Sequence, residues 1–227
     1  KAIGTVATPP TLTGTGSTHT VTVETPGVGT LDLSNAAVTP GSTLTVIGKN
    51  FGSYDLSSTV SIGTTACLAS QWVSMTSMTC NISLGTGTLL PVTAVVNTAI
   101  GTKGAAFTYD APTISMLDRP NSPTSGGAPI QVLGTNLASD DTTPTVVMGS
   151  TMCTTTIWSS TSALTCVTGI GTGRDMSMLL YTANVIGTRW IGFTYDSPAS
   201  SRSMHFNTPT TSGQSVTVSG LNFGNPD

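Results

Sequence analysis

The stretch TVIGKNFGSYD at 45–55 returns as QVLGTNLASDD at 131–141 and again as TVSGLNFGNPD at 217–227. The copies stand 86 residues apart, and the register holds without a gap well outside the phrase. Gly48, Gly134 and Gly220 keep it, as do Asn50, Asn136 and Asn222, and Gly41, Gly127 and Gly213. Cys67 aligns with Cys153, Trp72 with Trp158 and Cys80 with Cys166, and FTYD at 107–110 recurs at 193–196. Between 41–112 and 127–198 about 26 of 72 positions are identical, a fixed period that marks tandem copies of one structural unit. Carried outward, the register places Pro26 under Pro112 and Pro198. Four segments follow. Residues 1–26 read as the closing strands of a preceding incomplete repeat, with HTVTVETP (19–26) as its last strand. Residues 27–112 and 113–198 are full repeats, and 199–227 holds the opening strands of a following incomplete one. On this reading the chain is a window on a longer array.

Each repeat reads as short strands between turn signals. In the second, strands are expected at 113–117, 129–134, 145–148, 153–158, 163–167, 176–181 and 190–195. Asn121-Ser122-Pro123 and Gly126-Gly127 are read as turns, and Gly169, Gly171 and Gly173 as a flexible corner. Seven strands in one period predict an antiparallel sandwich. Composition agrees, since Thr is roughly a fifth of the chain, and Thr and Val favour strands over helices.

Hydrophobic residues make up 37% of the chain and charged ones 7%, so the sequence carries a core and lacks the signature of disorder. Net charge is −3, with 7 basic and 10 acidic residues placed singly. Without a basic stripe, no nucleic-acid partner is expected. No apolar run reaches the ~18 residues of a membrane span, and any targeting segment lies outside this stretch or was removed.

The four cysteines fall in two pairs, each 13 residues apart. That is not a zinc spacing, and His19 and His205 occupy no repeated position. Pairing within each repeat, Cys67 with Cys80 and Cys153 with Cys166, is the simpler reading and points to an oxidising compartment. The alternative is buried free thiols in a cytosolic protein.

Together these residues form a recognisable pattern: a Pro-led first strand, then GG-x-x-I-x-V-x-G-x-N-[FL], then V-x-[IM]-G, C…W-x-S-x₅-C, G-x-G and F-x-Y. It resembles the IPT/TIG domain, the immunoglobulin-like module of plexins and certain transcription factors. The cysteine pair resembles the extracellular members, including large multi-IPT surface proteins of the fibrocystin type. The resemblance covers nearly the whole chain. It implies an all-β fold of tandem immunoglobulin-like (IPT/TIG, E-set) sandwiches and an extracellular or cell-surface location. It implies no reaction, because function resides in sites rather than folds.

A search for a site returns little chemistry. Gly48-Lys49 lacks P-loop spacing, no G-x-S-x-G elbow occurs, and one glutamate with two scattered histidines offers few acid–base candidates. No catalytic residue, cofactor or metal is expected. Asp140-Asp141 is a candidate calcium contact, with a solvated turn the simpler reading. Trp72 and Trp158 are either sugar-stacking platforms or core residues packed on the disulfide, and their place between two cysteines favours the core. FTYD reads as edge-strand aromatic packing, with Tyr109 and Tyr195 capping the core. Asn50 and Asn136 read as turn residues that bond their own backbone.

Asn81-Ile82-Ser83 is an N-glycosylation sequon, and ATPPTLTGTG (7–16) and NTPTTSG (207–213) are candidates for O-linked sugars. The expected function is a structural, non-enzymatic segment of an extracellular filament, appendage or rod whose partners are copies of itself or adjacent repeats. The alternative is a receptor or adhesion ectodomain that binds a protein or glycan. For that reading the most divergent aligned stretch, 88–99 against 174–185, is the candidate contact surface. A third reading, a carbohydrate-binding appendage, needs exposed aromatics in a chain only 5% aromatic.

Overall fold

The computed structural model of the chain describes residues 11–14 and 17–20 as backbone, and residues 24–140, 143–204, 207, 210–211 and 213–224 in full. Every regular element among them is a strand. β1 (Thr11–Gly14) and β2 (Ser17–Thr20) pair as an antiparallel hairpin. Of the last strand proposed at 19–26, residues 19–20 end β2, residues 24–26 are in no strand, and residues 21–23 lie outside the described residues.

The first repeat contains β3 (Gly27–Leu31), β4 (Asn35–Ala36), β5 (Thr43–Lys49), β6 (Thr59–Ile62), β7 (Thr65–Ala66), β8 (Ala69–Ser74), β9 (Ser77–Asn81), β10 (Leu90–Val96) and β11 (Ala99–Tyr109). They form two sheets, ordered β3-β5-β9-β8 and β4-β11-β10-β6-β7. Period-two alternation sends one row of side chains inward. Leu44 and Val46 from β5, Met78 and Cys80 from β9, Val92 and Ala94 from β10 and Phe107 from β11 meet in one core.

The second repeat contains β12 (Thr113–Leu117), β13 (Asn121–Ser122), β14 (Pro129–Thr135), β15 (Thr145–Met148), β16 (Thr151–Met152), β17 (Thr155–Ser160), β18 (Ala163–Val167), β19 (Met176–Thr182), β20 (Val185–Ile186) and β21 (Trp190–Tyr195). Its sheets run β12-β14-β18-β17 and β13-β21-β19-β15-β16, with β20 on β19. Apart from β20, which with β21 stands where the first repeat has the single strand β11, this is the order of the first repeat. Ile130, Val132, Met148, Leu164, Met178, Leu180 and Phe193 occupy the corresponding core. The division into two compact units falls between Asp110 and Ala111. Beyond the second repeat, β22 (Ala199–Met204) and β23 (Thr217–Leu221) form an antiparallel hairpin.

The structure departs from the sequence reading at four places. Asn121-Ser122, read as a turn, is a strand that runs parallel to β21. It is held by Thr194 N–H on the Pro120 carbonyl and Asp196 N–H on the Ser122 carbonyl, each at 2.9 Å. A two-residue parallel strand has too few side chains to leave a periodic signal, and it makes the sandwich mixed rather than purely antiparallel. The strand expected at 153–158 runs instead from Thr155 to Ser160, because the chain leaves β16 in one sheet, crosses at Cys153-Thr154 and only then enters β17 in the other. β20 was not foreseen. FTYD is not on an edge: β11 and β21 are flanked on both sides.

Candidate functional site

The signature residues of each repeat have structural roles. Cys67 lies where the chain crosses from β7 to β8 and is bonded to Cys80 on β9, with Cα atoms 5.6 Å apart. Cys153 and Cys166 do the same in the second repeat, also at 5.6 Å. Each bond ties the sheet-switching corner to a central strand.

Tyr109 is buried, stacks edge-on against Phe107 with ring centroids 5.2 Å apart, and donates its hydroxyl to the Ser83 carbonyl at 3.2 Å. Tyr195 does likewise with Phe193 at 5.2 Å and with the Gly169 carbonyl at 2.9 Å. Burial pushes both phenols above their ordinary value. The first glycine of each G-x-G pair follows from these rings, and the second, Gly87 or Gly173, from a positive φ of 122° or 130°. A Cβ on Gly85 would lie 2.4 Å from the Tyr109 ring, and one on Gly171 would lie 2.6 Å from the Tyr195 ring. The tyrosines, expected to cap the core, are themselves buried in it.

The G-x-N phrase has an equally local cause. A Cβ on Gly48, Gly134 or Gly220 would lie 2.0 Å from the carbonyl oxygen of Gly27, Thr113 or Ala199. Asn50, Asn136 and Asn222 take φ of 62°, 55° and 59°, a left-handed conformation that asparagine tolerates. Two of them reach further along the chain than the expected bond to their own backbone: Asn222 Nδ2 donates to the Ser197 carbonyl at 3.5 Å, and Asn50 Nδ2 to the Thr25 carbonyl and to Glu24, each at 3.1 Å. That bond and then the Lys49 charge hold the Glu24 carboxyl below its ordinary range.

Asp32 Oδ1 accepts the Thr45 N–H at 2.6 Å, as Asp118 accepts that of Gln131 at 2.6 Å. Burial is the largest influence on Asp32 and acts upward, but hydrogen bonds from Thr45 and neighbouring amides together outweigh it and lower its pKa. A shallow groove of about 400 Å³ along β3 and β5, lined by Gly27–Thr30 and Ile47–Lys49, is open and brings no polar groups to a common point.

Trp72 and Trp158 are half-buried. Trp72 packs at the margin of the first core beside Cys67. Trp158 donates its indole N–H to the Ala138 carbonyl at 3.3 Å, whereas the Trp72 N–H is buried without a partner. Among the described residues no cluster of His, Cys, Asp and Glu could hold a metal ion. Asp140 is exposed and accepts from Ser139, while Asp141 lies outside the described residues, as do His205 and the side chain of His19. Of the Thr/Pro stretches, 7–16 is described only as backbone at 11–14, and residues 208, 209 and 212 of 207–213 lie outside the described residues.

What the repeat pattern does not absorb lies on the outward faces. Asn81 is exposed at the end of β9, opposite Thr43 on β5 and Ala69 on β8. Its counterpart is Val167. On the other sheet of the second repeat, Met152, Val147 and Leu179 form one outward row, Thr145 and Tyr181 the next, and Ile191 lies beside Ser177. Met152 and Ile191 are about 60% exposed, at 62% and 61%. The matching residues of the first repeat are Ala66, Ser61, Thr93, Val95 and Ala105, with Thr93 bonded to Thr102 through their hydroxyls at 3.0 Å. No single residue in the second set looks unusual by itself. The signal is the joint change along rows that only the sheet register brings side by side.

A family model of the IPT/TIG domain matches residues 32–109 and 112–195. Among solved structures, the extracellular region of plexin A4 is similar at 19% identity over 75% of this chain and 18% of that chain, with a TM-score of 0.37. The surface glycan-binding protein PbSGBP-B from Prevotella bryantii is similar at 10% identity over 74% of this chain and 42% of that one, with a TM-score of 0.51. The chain thus spans less than half the length of either. No curated protein matches it significantly by sequence. With both full repeats matched by the family model and built on the same two sheets, the chain belongs to the IPT/TIG family, in tandem.

Proposed function

We propose that the chain is a structural, non-enzymatic stretch of an extracellular or cell-surface protein, in which IPT/TIG domains follow head to tail as a rod or filament segment. One observation carries this reading. Two domains of identical strand order, each with its own disulfide, follow one another with only Asp110, Ala111 and Pro112 between β11 and β12. Repeats joined so closely form quasi-one-dimensional arrays in which each contacts its neighbours. The disulfides support an oxidising compartment. The perturbed ionisable groups all have structural causes, which supports the absence of a reaction. Electron microscopy of native material is expected to show regular fibres or rods, and soluble globular particles would overturn the proposal. Non-reducing mass spectrometry should find Cys67–Cys80 and Cys153–Cys166 linked, and free thiols there would remove the extracellular assignment.

A second reading, an adhesion or receptor ectodomain, is favoured by the apolar outward rows of the second repeat. Contiguous exposed apolar surface marks interaction sites. Replacing Met152, Leu179 and Ile191 by the first repeat's Ala, Thr and Ala separates the two. Loss of binding to a partner with fibres intact supports the ectodomain, and loss of fibres makes this face part of the rod.

A further inference from the structure

We infer that Asn81 carries an N-linked glycan, and that the sugar is added before the first repeat closes. The inference rests on the extracellular reading above.

The acceptor triplet Asn81-Ile82-Ser83 has a free middle position, since residue 82 is not proline. In the folded domain only its first residue faces outward. Asn81 is exposed, and the residues opposite it in both neighbouring strands, Thr43 and Ala69, are small and exposed as well. A sugar on Nδ2 therefore meets solvent, with no bulky side chain above the sheet at that end. Ile82 is fully buried and Ser83 is 9% exposed. The backbone is held on every side: Ile82 N–H donates to the Ser42 carbonyl at 2.9 Å, Leu68 N–H donates to the Asn81 carbonyl at 2.9 Å, and the Tyr109 hydroxyl donates to the Ser83 carbonyl at 3.2 Å. A transferase that must grip the serine hydroxyl two residues beyond the asparagine cannot reach it in this state.

The adjoining residue is Cys80, whose bond to Cys67 fixes β9 to the sheet-switching corner. Closing that bond and seating Ile82 in the core remove the acceptor from access in one step, so glycan transfer and disulfide closure compete. In the transfer, the Asn81 Nδ2–C1 bond forms as the C1–O bond of a lipid-pyrophosphate-linked oligosaccharide breaks. The lipid pyrophosphate leaves, and the amide loses one proton. The second repeat has no acceptor, because Val167, Thr168 and Gly169 stand at the matching positions. The glycan would cover the β3-β5-β9-β8 face of the first repeat and leave the corresponding face of the second bare.

The test has two arms. Native protein is digested with peptide N-glycosidase in ¹⁸O water and mapped without reduction. The expected result is ¹⁸O-labelled aspartate at position 81 together with intact disulfides. An unlabelled Asn81 with intact disulfides overturns the inference and leaves the extracellular reading standing, whereas free cysteines overturn that reading itself. In the second arm, the chain is translated in the presence of microsomes. Wild type should be modified in part, Asn81→Gln not at all, and Cys67→Ser more fully than wild type. Folded, oxidised protein offered to the same transferase should be refused, and the reduced, unfolded chain accepted. Equal modification of folded and unfolded chains would overturn the proposed order.

Discussion

The first and second repeats share the strand order of their two sheets, with β20 and β21 standing where the first has the one strand β11, yet they differ in how they satisfy the same positions. Among the positions identical in both are some where the backbone or a covalent bond permits nothing else: Gly48 and Gly134 against a carbonyl, Gly85 and Gly171 under a tyrosine ring, and the four cysteines. Differences fall on the outward faces, in the core, where Met78 is matched by Leu164 and Ala94 by Leu180, and at one site as a polar pair for an apolar one. Ser122 and Thr168, both buried, share a hydroxyl–hydroxyl bond of 2.8 Å, and Thr168 Oγ1 also accepts the Ala128 N–H at 3.2 Å. The matching residues of the first repeat are Ala36 and Ile82, buried in its core. One domain fills the site with apolar volume and the other with a satisfied polar pair. Either closes, because a buried hydroxyl costs free energy only when unpaired.

The largest expected effect concerns the bond both repeats share. Removing Cys67–Cys80 or Cys153–Cys166 by paired alanine substitution should cost its own domain about 3 kcal/mol, from the unfolded-state entropy of a loop this size. Calorimetry should show one transition displaced and the other in place; displacement of both would dissolve the picture of two separate domains. Next come the glycines. Gly85→Ala and Gly171→Ala should each destabilise by about 1–3 kcal/mol through overpacking against the tyrosine, and denaturant titration of both should give matching losses if the two corners are equivalent.

The polar and apolar pairs offer a sharper test. Ser122→Ala alone should cost about 1 kcal/mol, while Ser122→Ala with Thr168→Ile, importing the first repeat's pair, should fall short of the sum of the single costs. Additive losses in that double-mutant cycle would show the pairs are not interchangeable. The tryptophans should split by about 1 kcal/mol, since Trp158→Phe loses a hydrogen bond and Trp72→Phe removes only an unpartnered N–H; equal costs would refute the distinction.

The smallest effect is electrostatic. The folded pKa of Asp32 is lowered, so its contribution is present above the unfolded value of ~3.9 and lost as pH falls through the folded one. Because the carboxyl is largely exposed, Asp32→Asn should shift stability by less than about 0.5 kcal/mol at neutral pH. The difference from wild type should vanish in acid.

Much of this was legible because strands announce themselves by alternation and turns by glycine. Thr145–Met148, Ala163–Val167 and Trp190–Tyr195 have the bounds that their patterning suggests. The tyrosines did not disclose their burial, since F-x-Y reads alike on an edge and in a core. Nor did the two-residue strand at Asn121-Ser122, whose existence depends on β21 running alongside. The sequon was visible as three letters, but that its asparagine faces out while its serine faces in depended on the register of β9.

The repeated phrase marks the boundary between the two kinds of information. In all three copies the glycine approaches a carbonyl and the asparagine turns left-handed. Both properties belong to a few neighbouring bonds, and the residues alone fix them. Burial is different. Phe51 and Leu137 are fully buried, whereas Phe223 is 56% exposed; Val132 is buried where Val218 is 51% exposed. The same side chains follow the same turn. Whether they enter a core depends on a second sheet packed over them, which no local stretch of sequence can supply.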